Sequence, residues 1–182
     1  MARKLGRADW LAAAFSALAH RGVEAVRVEP LAKRLGITKG SFYWHFADRG
    51  ELLAALLAEW EQRATLAIIA AVERRGGSAR ERLLELFRRA FAADGRLDRR
   101  LRAWAEDDPQ AAAVMARIDR RRIDYLRRLF TEIGFPPAQA DIRSQLVYDA
   151  LIGGFALTGR AAASPQERDS RARVYHEMLS HS

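Results

Sequence analysis

The chain has 182 residues, 49% of them apolar, which is enough for a hydrophobic core and argues against an intrinsically disordered protein. It has no cysteine, which excludes disulfides and thiolate metal sites and favours a cytoplasmic location. No apolar run approaches the roughly 20 residues of a membrane span, so no membrane partner is expected. Its net charge is +8, and residues 1–50 contain nine Lys/Arg against four Asp/Glu. This excess of basic residues favours an N-terminal surface that binds a polyanion, with a purely compositional excess of arginine as the alternative.

The first predicted element is a helix over about residues 7–20, ending before Gly22. Bulky side chains recur at helical spacing with alanines between them: Trp10, Leu11, Phe15 and Leu18. The same segment has the outline of a secretory signal, because a basic pair at residues 3–4 precedes an uncharged stretch and a small-residue site at residues 17–19. The amphipathic spacing favours the packed helix.

The rest of the chain keeps three- and four-residue apolar spacing without a strand-like segment, so the predicted fold class is all-α with about nine helices. Two short helices are expected near residues 29–35 and 39–45. Capping patterns around Asp48, Ser78, Asp108 and Ser164, together with Pro136-Pro137, predict the later helices. These span about residues 48–75, 78–94, 97–104, 109–133, 138–160 and 165–179.

Residues 28–46 have the pattern of a helix-turn-helix. Ala32 offers the small side chain that two crossing helices need, Gly36 tolerates the positive φ of a tight turn, and Thr38 is placed to cap the second helix. The expected buried set is Leu31, Leu35, Ile37, Phe42 and Phe46. Hydrogen-bond donors and flat rings suited to a DNA major groove remain on the outer face: Lys39, Ser41, Tyr43, Trp44 and His45.

This motif resembles the signature of the tetracycline-repressor (TetR) family. The similarity lies in Gly36-Ile37-Thr38-Lys39-Gly40-Ser41-Phe42-Tyr43-Trp44-His45-Phe46, followed by Asp48-Arg49 and Leu52-Leu53, and it covers about residues 7–55. It implies a three-helix DNA-binding domain over residues 1–47 and an effector-binding and dimerisation domain over residues 48–182. The implied function is a transcriptional repressor that binds an inverted-repeat operator in double-stranded DNA as a homodimer and is released by a small-molecule effector.

The resemblance also implies roles in DNA binding for individual residues. Lys39, Gly40, Ser41 and Tyr43 would contact the operator, and His45 and Arg49 the backbone phosphates. Trp44 would either support the helix or contact the sugar-phosphate edge. The helix N-terminus at Thr38 suits a phosphate. Where the family usually has threonine or serine opening the first short helix, this chain has Val28 followed by Glu29, so Arg27 is the candidate replacement for that phosphate contact.

In the family, the helices after the DNA-binding domain surround an effector cavity. The candidate lining residues are aromatic or thioether side chains, with ordinary core packing as the alternative: Phe87, Phe91, Trp104, Met115 and Tyr125. They predict an apolar or aromatic effector, with Arg102 and Asp94 as possible charged exceptions.

A glycine pair, Gly153-Gly154, lies inside the penultimate predicted helix, where each glycine costs about 1 kcal/mol relative to alanine. Two such costs side by side suggest a close helix–helix approach. Since the last two helices form the dimer interface in the family, the candidate interface is Leu146, Val147, Ala150, Gly153 and Gly154.

No catalytic site, cofactor or metal site is predicted. The four histidines (His20, His45, His176 and His181) form no His-x-x-x-His pair, and the sequence has no Gly-rich phosphate loop. In Glu106-Asp107-Asp108 the carboxylates point in different directions around a helix. Two alternatives stay open: a helical small-molecule-binding protein or enzyme with a vestigial helix-turn-helix, which would lack salt-dependent DNA binding, and an architectural DNA binder without an effector.

Overall fold

The computed structural model describes residues 5–157 and 164–181, and this part of the chain is helical without a strand, which confirms the predicted all-α class. Its nine α-helices are α1 (Arg7–Arg21), α2 (Val28–Leu35), α3 (Arg49–Glu61), α4 (Ala67–Arg75), α5 (Ala79–Ala92), α6 (Arg96–Asp107), α7 (Pro109–Ile133), α8 (Pro137–Ala156) and α9 (Pro165–Ser180). Short 3₁₀ helices occupy Val23–Ala25 and Lys39–Trp44. None of the described helices combines the length and hydropathy needed to cross a bilayer.

Local capping patterns place several helix starts where the sequence predicts them. Ser78 Oγ accepts a hydrogen bond from the Glu81 amide at 3.3 Å, and the Glu81 carboxylate accepts one from the Ser78 amide at 2.8 Å. Ser164 and Glu167 repeat this reciprocal pair at the start of α9. Because each pair satisfies two otherwise free N–H groups, it fixes the first turn of its helix.

The helix predicted over residues 48–75 is present, but it contains a π-helical turn that the sequence did not predict. A π-helical turn, Gln62–Leu66, separates α3 from α4. Arg122 of α7 donates from Nη2 to the Ala64 carbonyl at 3.2 Å and from Nε to Thr65 Oγ1 at 3.1 Å. A guanidinium that hydrogen-bonds to a turn carbonyl in this way stabilises a departure from regular α-helical geometry.

The chain divides into two compact units. The first comprises the described residues up to Glu61 together with Arg96–Met115, and the second comprises Gln62–Gly95 together with the described residues from Ala116 onward. In the second unit, α9 packs along α5 around a core of Val72, Leu83, Phe87, Tyr125, Leu126, Leu129, Phe130, Phe135, Ala140, Val147, Tyr148 and Ala172. At Gly95, φ is +67° and a Cβ atom would overlap the ring of Phe155, so glycine is required there.

Candidate nucleic-acid interface

An aromatic cluster holds the helix-turn-helix together from the inside. Trp10 of α1 and Phe42 of the Lys39–Trp44 helix are both 0% exposed, and their rings meet edge to face with centroids 5.1 Å apart. Phe42 also stacks on Phe46 at 5.4 Å. Of the predicted buried set, Leu31, Phe42 and Phe46 are buried, whereas Leu35 and Ile37 are partly exposed. Phe42 therefore anchors the 3₁₀ helix to α1.

The turn between the two short helices has the geometry that the sequence predicts. Gly36 adopts φ 68° and ψ 30°, in the left-handed region, and its amide donates to the carbonyls of Ala32 and Lys33. The Ile37 amide donates to the Ala32 carbonyl at 3.1 Å, which closes the end of α2. A side chain at Gly36 would be strained in this conformation.

The second short helix of the helix-turn-helix differs from the prediction in two respects. Lys39–Trp44 is a 3₁₀ helix rather than an α-helix over residues 39–45, and the Thr38 side chain accepts no capping hydrogen bond. The predicted cap at Thr38 is therefore wrong. The Ser41 amide donates instead to the Thr38 carbonyl at 3.1 Å, as the tighter i to i+3 pattern requires.

The outer side of this helix, which we call the recognition surface, consists of Lys39, Gly40, Ser41, Tyr43 and Trp44. Tyr43 is 55% exposed and Trp44 is 87% exposed, although both are large and apolar. A Cβ atom at Gly40 would meet the Thr38 Oγ1 atom alone, at 3.8 Å, so packing within the described residues does not require glycine there. His45, at the end of this helix, is partly buried.

A basic groove adjoins the recognition surface. It has a volume of about 630 Å³ and is lined by Arg27, Val28, Glu29, Pro30, Lys33, Lys39 and Tyr43. Lys39 Nζ lies 2.9 Å from Glu29 Oε1 across this groove. The hydrogen bond and charge of Lys39 hold the pKa of Glu29 below its ordinary value, and Glu29 raises the pKa of Lys39 in return. Three cations thus line the groove together with one carboxylate.

Arg49 has a structural role that the sequence did not reveal. Its Nε donates to the Val26 carbonyl at 2.7 Å and its Nη2 donates to the Val23 carbonyl at 3.0 Å. The half-buried guanidinium therefore ties the start of α3 to the segment before α2. Both acceptors lie more than twenty residues upstream, with separations of 23 and 26 residues, so periodicity could not have predicted them. Arg27, by contrast, is exposed at the N-cap of α2.

The predicted effector residues are divided between the two units. Phe87, Phe91 and Tyr125 belong to the second unit, and Trp104 and Met115 belong to the first. All except Phe91 are buried.

Two of these aromatic residues have identified roles in the second unit. The Tyr125 hydroxyl donates to Glu73 Oε1 at 2.6 Å, and burial together with this partner raises the pKa of Tyr125. Phe91 packs between Phe87 and Tyr175, with ring centroids 5.9 and 5.2 Å apart. The Tyr125 hydroxyl thus has an exposed glutamate as its partner, while Phe91 forms part of an aromatic group.

The charged residues expected near the effector also have defined places. Arg102 Nε lies 2.7 Å from the buried Asp98 carboxylate, one helical turn away in α6. Asp94 is exposed. Within the described residues, no group of three or more histidine, aspartate or glutamate side chains is arranged to hold a metal ion.

Val147 does not lie on the face of α8 that exposes Leu146. Leu146 is 55% exposed, whereas Val147 is 5% exposed and packs in the core of its own chain, so Val147 is removed from the candidate set. A Cβ atom at Gly153 or Gly154 would meet nothing within 4 Å in the described residues. A close helix approach within the chain therefore does not account for the pair. Further exposed apolar side chains, which sequence reasoning missed, are Ile142 on α8 and Val174 and Met178 on α9.

Comparison with known proteins identifies the helix-turn-helix region. Residues 11–56 match the family of bacterial regulatory proteins described as the tetR family. The HTH-type transcriptional regulator TtgR of Pseudomonas putida is 41% identical over 51 residues, which cover 28% of this chain and 24% of that protein. The aligned stretch thus spans about a quarter of the length of this curated relative.

Solved structures resemble the chain over nearly its full length. A transcriptional regulator from Rhodococcus sp. Rha1 has a TM-score of 0.79 at 22% identity and covers 96% of each chain. A protein from Saccharomonospora viridis, described as a transcriptional regulator and solved in complex with choline, has a TM-score of 0.79 at 20% identity and covers 94% of this chain and 95% of its own. At these identities the likeness establishes the fold. The match to the tetR family is confined to residues 11–56, the helix-turn-helix region.

Proposed function

We propose that the protein is a transcriptional regulator of the TetR type, acting as a repressor. In this proposal residues 1–47 bind DNA, and residues 48–182 bind an effector and form a homodimer. The observation that carries it is the recognition surface, where Phe42 is fully buried while its neighbours Tyr43 and Trp44 are exposed. A fold that buries one aromatic residue and exposes the next two has a surface suited to a partner.

Double-stranded DNA is the partner that best fits this surface. Lys39 offers donors to guanine O6 and N7, which are acceptors exposed in the major groove. Arg27 and Lys33, which line the adjoining groove, suit the phosphate backbone. Packing within the described residues does not require glycine at Gly40, and this supports a role for Gly40 in letting the DNA backbone approach closely.

The exposed apolar residues of the last two helices support the homodimer. Ile142 and Leu146 of α8, and Val174 and Met178 of α9, form what we call the α8/α9 surface, and each is 48% exposed or more. Apolar exposure of this kind marks sites of protein association. A two-fold dimer would place two recognition surfaces on an inverted-repeat operator, with half-site centres about 34–36 Å apart or a multiple of that spacing.

For the effector we propose an apolar or aromatic small molecule that contacts the aromatic group around Phe91. The choline complex of the Saccharomonospora viridis protein adds a second class to examine, because aromatic rings also bind quaternary ammonium ions. A thermal-shift screen should therefore include both classes. A ligand at a hundredfold excess over its dissociation constant stabilises the fold by about 2.7 kcal/mol. A screen in which sugars and polyanions alone register would contradict this choice.

The proposed DNA binding is tested with a fluorescent duplex of random sequence over a salt series. The wild-type protein should bind it, with affinity falling as salt rises, because counterions are released from the duplex. Lys39→Ala and Tyr43→Ala should weaken binding, whereas Arg74→Ala, which removes an exposed charge on α4, serves as the matched control. If the wild-type protein shows no salt-dependent binding, the helix-turn-helix is vestigial and the alternative of a helical small-molecule-binding protein or enzyme gains support.

A further inference from the structure

Glu29 is an acidic side chain in a groove whose other charged residues, among those described, are Arg27, Lys33 and Lys39. It lies in the first turn of α2, and its side chain is 74% exposed. An exposed ion pair contributes little to folding, so the fold does not require the contact between Glu29 and Lys39. A carboxylate here also opposes phosphate binding, because like charges repel. Glu29 is thus unsuited to a surface that binds the DNA backbone alone.

The geometry of the pair suits the edge of a base pair instead. Lys39 Nζ and Glu29 Oε1 are 2.9 Å apart, a donor beside an acceptor. In a G·C base pair, guanine O6 and cytosine N4 are hydrogen-bonded to each other and therefore also lie about 2.9 Å apart. Both face the major groove, where O6 accepts and N4 donates. An ammonium and a carboxylate at this separation match the two groups in spacing and in polarity. Thymine O4 and adenine N6 form a pair of the same polarity, but guanine adds the N7 acceptor for an ammonium where thymine has a methyl group.

We propose that Glu29 is a specificity-determining residue, which together with Lys39 selects one G·C base pair in each half-site. Lys39 donates to guanine O6 and N7, the second of which thymine lacks, and Glu29 accepts from cytosine N4. Where the duplex presents phosphate or a base without an amino donor at this place, the Glu29 carboxylate is left without a partner and disfavours binding. The inference depends on the proposed DNA-binding function, because it assigns a role within that same interface.

The test is a selection of half-sites from a duplex library that is randomised around a bound sequence. It compares the wild-type protein with Glu29→Gln, Glu29→Ala and Lys39→Ala. Glu24→Gln is the matched control, because it removes the same charge from an exposed residue that does not line the groove. Thermal unfolding of each variant checks that the fold is kept. The unfolding temperature of the Glu29 variants should not change, since the ion pair of Glu29 is exposed.

We expect the wild-type protein to prefer G·C at one position of the half-site. Glu29→Ala should lose that preference by roughly 5- to 150-fold, the discrimination of one good base contact. It should also bind random duplex more tightly and with a steeper salt dependence, because Lys39 is then free to neutralise a phosphate. Glu29→Gln should shift the preference toward adenine, whose N6 and N7 atoms pair with an amide.

The outcomes separate the inference from the function on which it depends. If the wild-type protein binds DNA and Lys39→Ala weakens it, while both Glu29 variants select the same half-site as Glu24→Gln, the specificity role of Glu29 is refuted and DNA binding stands. If neither the wild-type protein nor any variant binds duplex DNA, the proposed function itself fails.

Discussion

Large apolar side chains are exposed on both the recognition surface and the α8/α9 surface, and these two surfaces differ in the residues that surround them. On the recognition surface the exposed residues are aromatic, and Lys39 lies among them. On the α8/α9 surface they are aliphatic or thioether side chains, and the helices around them carry charges of both signs. Rings mixed with donors fit a polyanion, whereas aliphatic chains fit another protein. Exposure alone therefore does not identify a partner; the neighbouring chemistry does.

The largest expected effect is a loss of stability when a side chain is removed from the inner side of the Lys39–Trp44 helix but not from its outer side. Phe42→Ala should destabilise the protein by about 3–5 kcal/mol, because it empties a fully buried site against Trp10. Trp44→Ala, two residues later, should leave stability nearly unchanged, because that indole is 87% exposed, and should instead weaken DNA binding. Chemical denaturation measures the first effect and duplex titration the second. Equal losses of stability in both variants would contradict the division into an inner and an outer side.

The second prediction concerns the α8/α9 surface. Leu146→Glu and Gly154→Arg should each convert a homodimer into monomers, because a substitution in a two-fold interface acts twice. Ala116→Glu, at an exposed position on α7, is the matched control and should remain dimeric. Light scattering at micromolar concentration distinguishes the two states. A wild-type protein that is monomeric under these conditions would refute the proposed interface.

The third prediction concerns Arg49, where substitutions test whether its side chain stabilises the fold through backbone hydrogen bonds or binds a DNA phosphate. Arg49→Ala should cost about 1.5–3 kcal/mol of stability, the usual contribution of charged hydrogen bonds such as those to Val26 and Val23. Arg49→Lys keeps the charge but cannot reproduce both contacts, so it should restore little stability. The opposite pattern, with unchanged stability and a salt slope reduced by about one unit, would favour the phosphate role that the family resemblance implies.

The smallest expected effect lies in the second unit, at His176. Its Nε2 donates to the Arg80 carbonyl at 2.9 Å, and burial lowers its pKa below the ordinary 6.5, with His181, Arg80 and Arg88 adding positive charge nearby. Below about pH 6.5 the unfolded chain therefore binds the proton first, and the free energy of unfolding should fall as the pH falls.

Thermal unfolding at about pH 7.5 and about pH 5.5 checks this pH dependence. His176→Gln should lose less stability than the wild-type protein over that interval, while His20→Gln, at an exposed position, should behave like the wild type. Parallel losses in all three proteins would show that His176 is not responsible.

The features that the sequence predicted correctly depend on neighbours in the chain. The capping pair of Ser78 and Glu81 spans three residues, and the left-handed turn at Gly36 depends on that residue's own conformation. Two features that the sequence did not predict depend on partners far along the chain. Arg122 contacts the π-helical turn across 57 residues, and Arg49 contacts Val26 across 23. Helical periodicity contains no information about such contacts, since it describes one face of one helix.

The candidate interface shows the same limit. The sequence grouped Leu146 with Val147, but adjacent residues on a helix point about 100° apart, so one is exposed and the other is in the core. The exposed face of α8 is instead continued by Ile142, four residues before Leu146. Which face of α8 is covered depends on the helices packed against it.

The exposure of Trp44 also gives the protein an optical property. Of its four tryptophans, Trp10 and Trp104 are buried, Trp60 is partly buried, and Trp44 is 87% exposed. A water-soluble quencher such as iodide will reach the Trp44 indole far more readily than the other three. The quencher-sensitive part of the intrinsic fluorescence therefore originates mainly in the recognition surface, and a partner that covers this surface will protect it from quenching without any attached label.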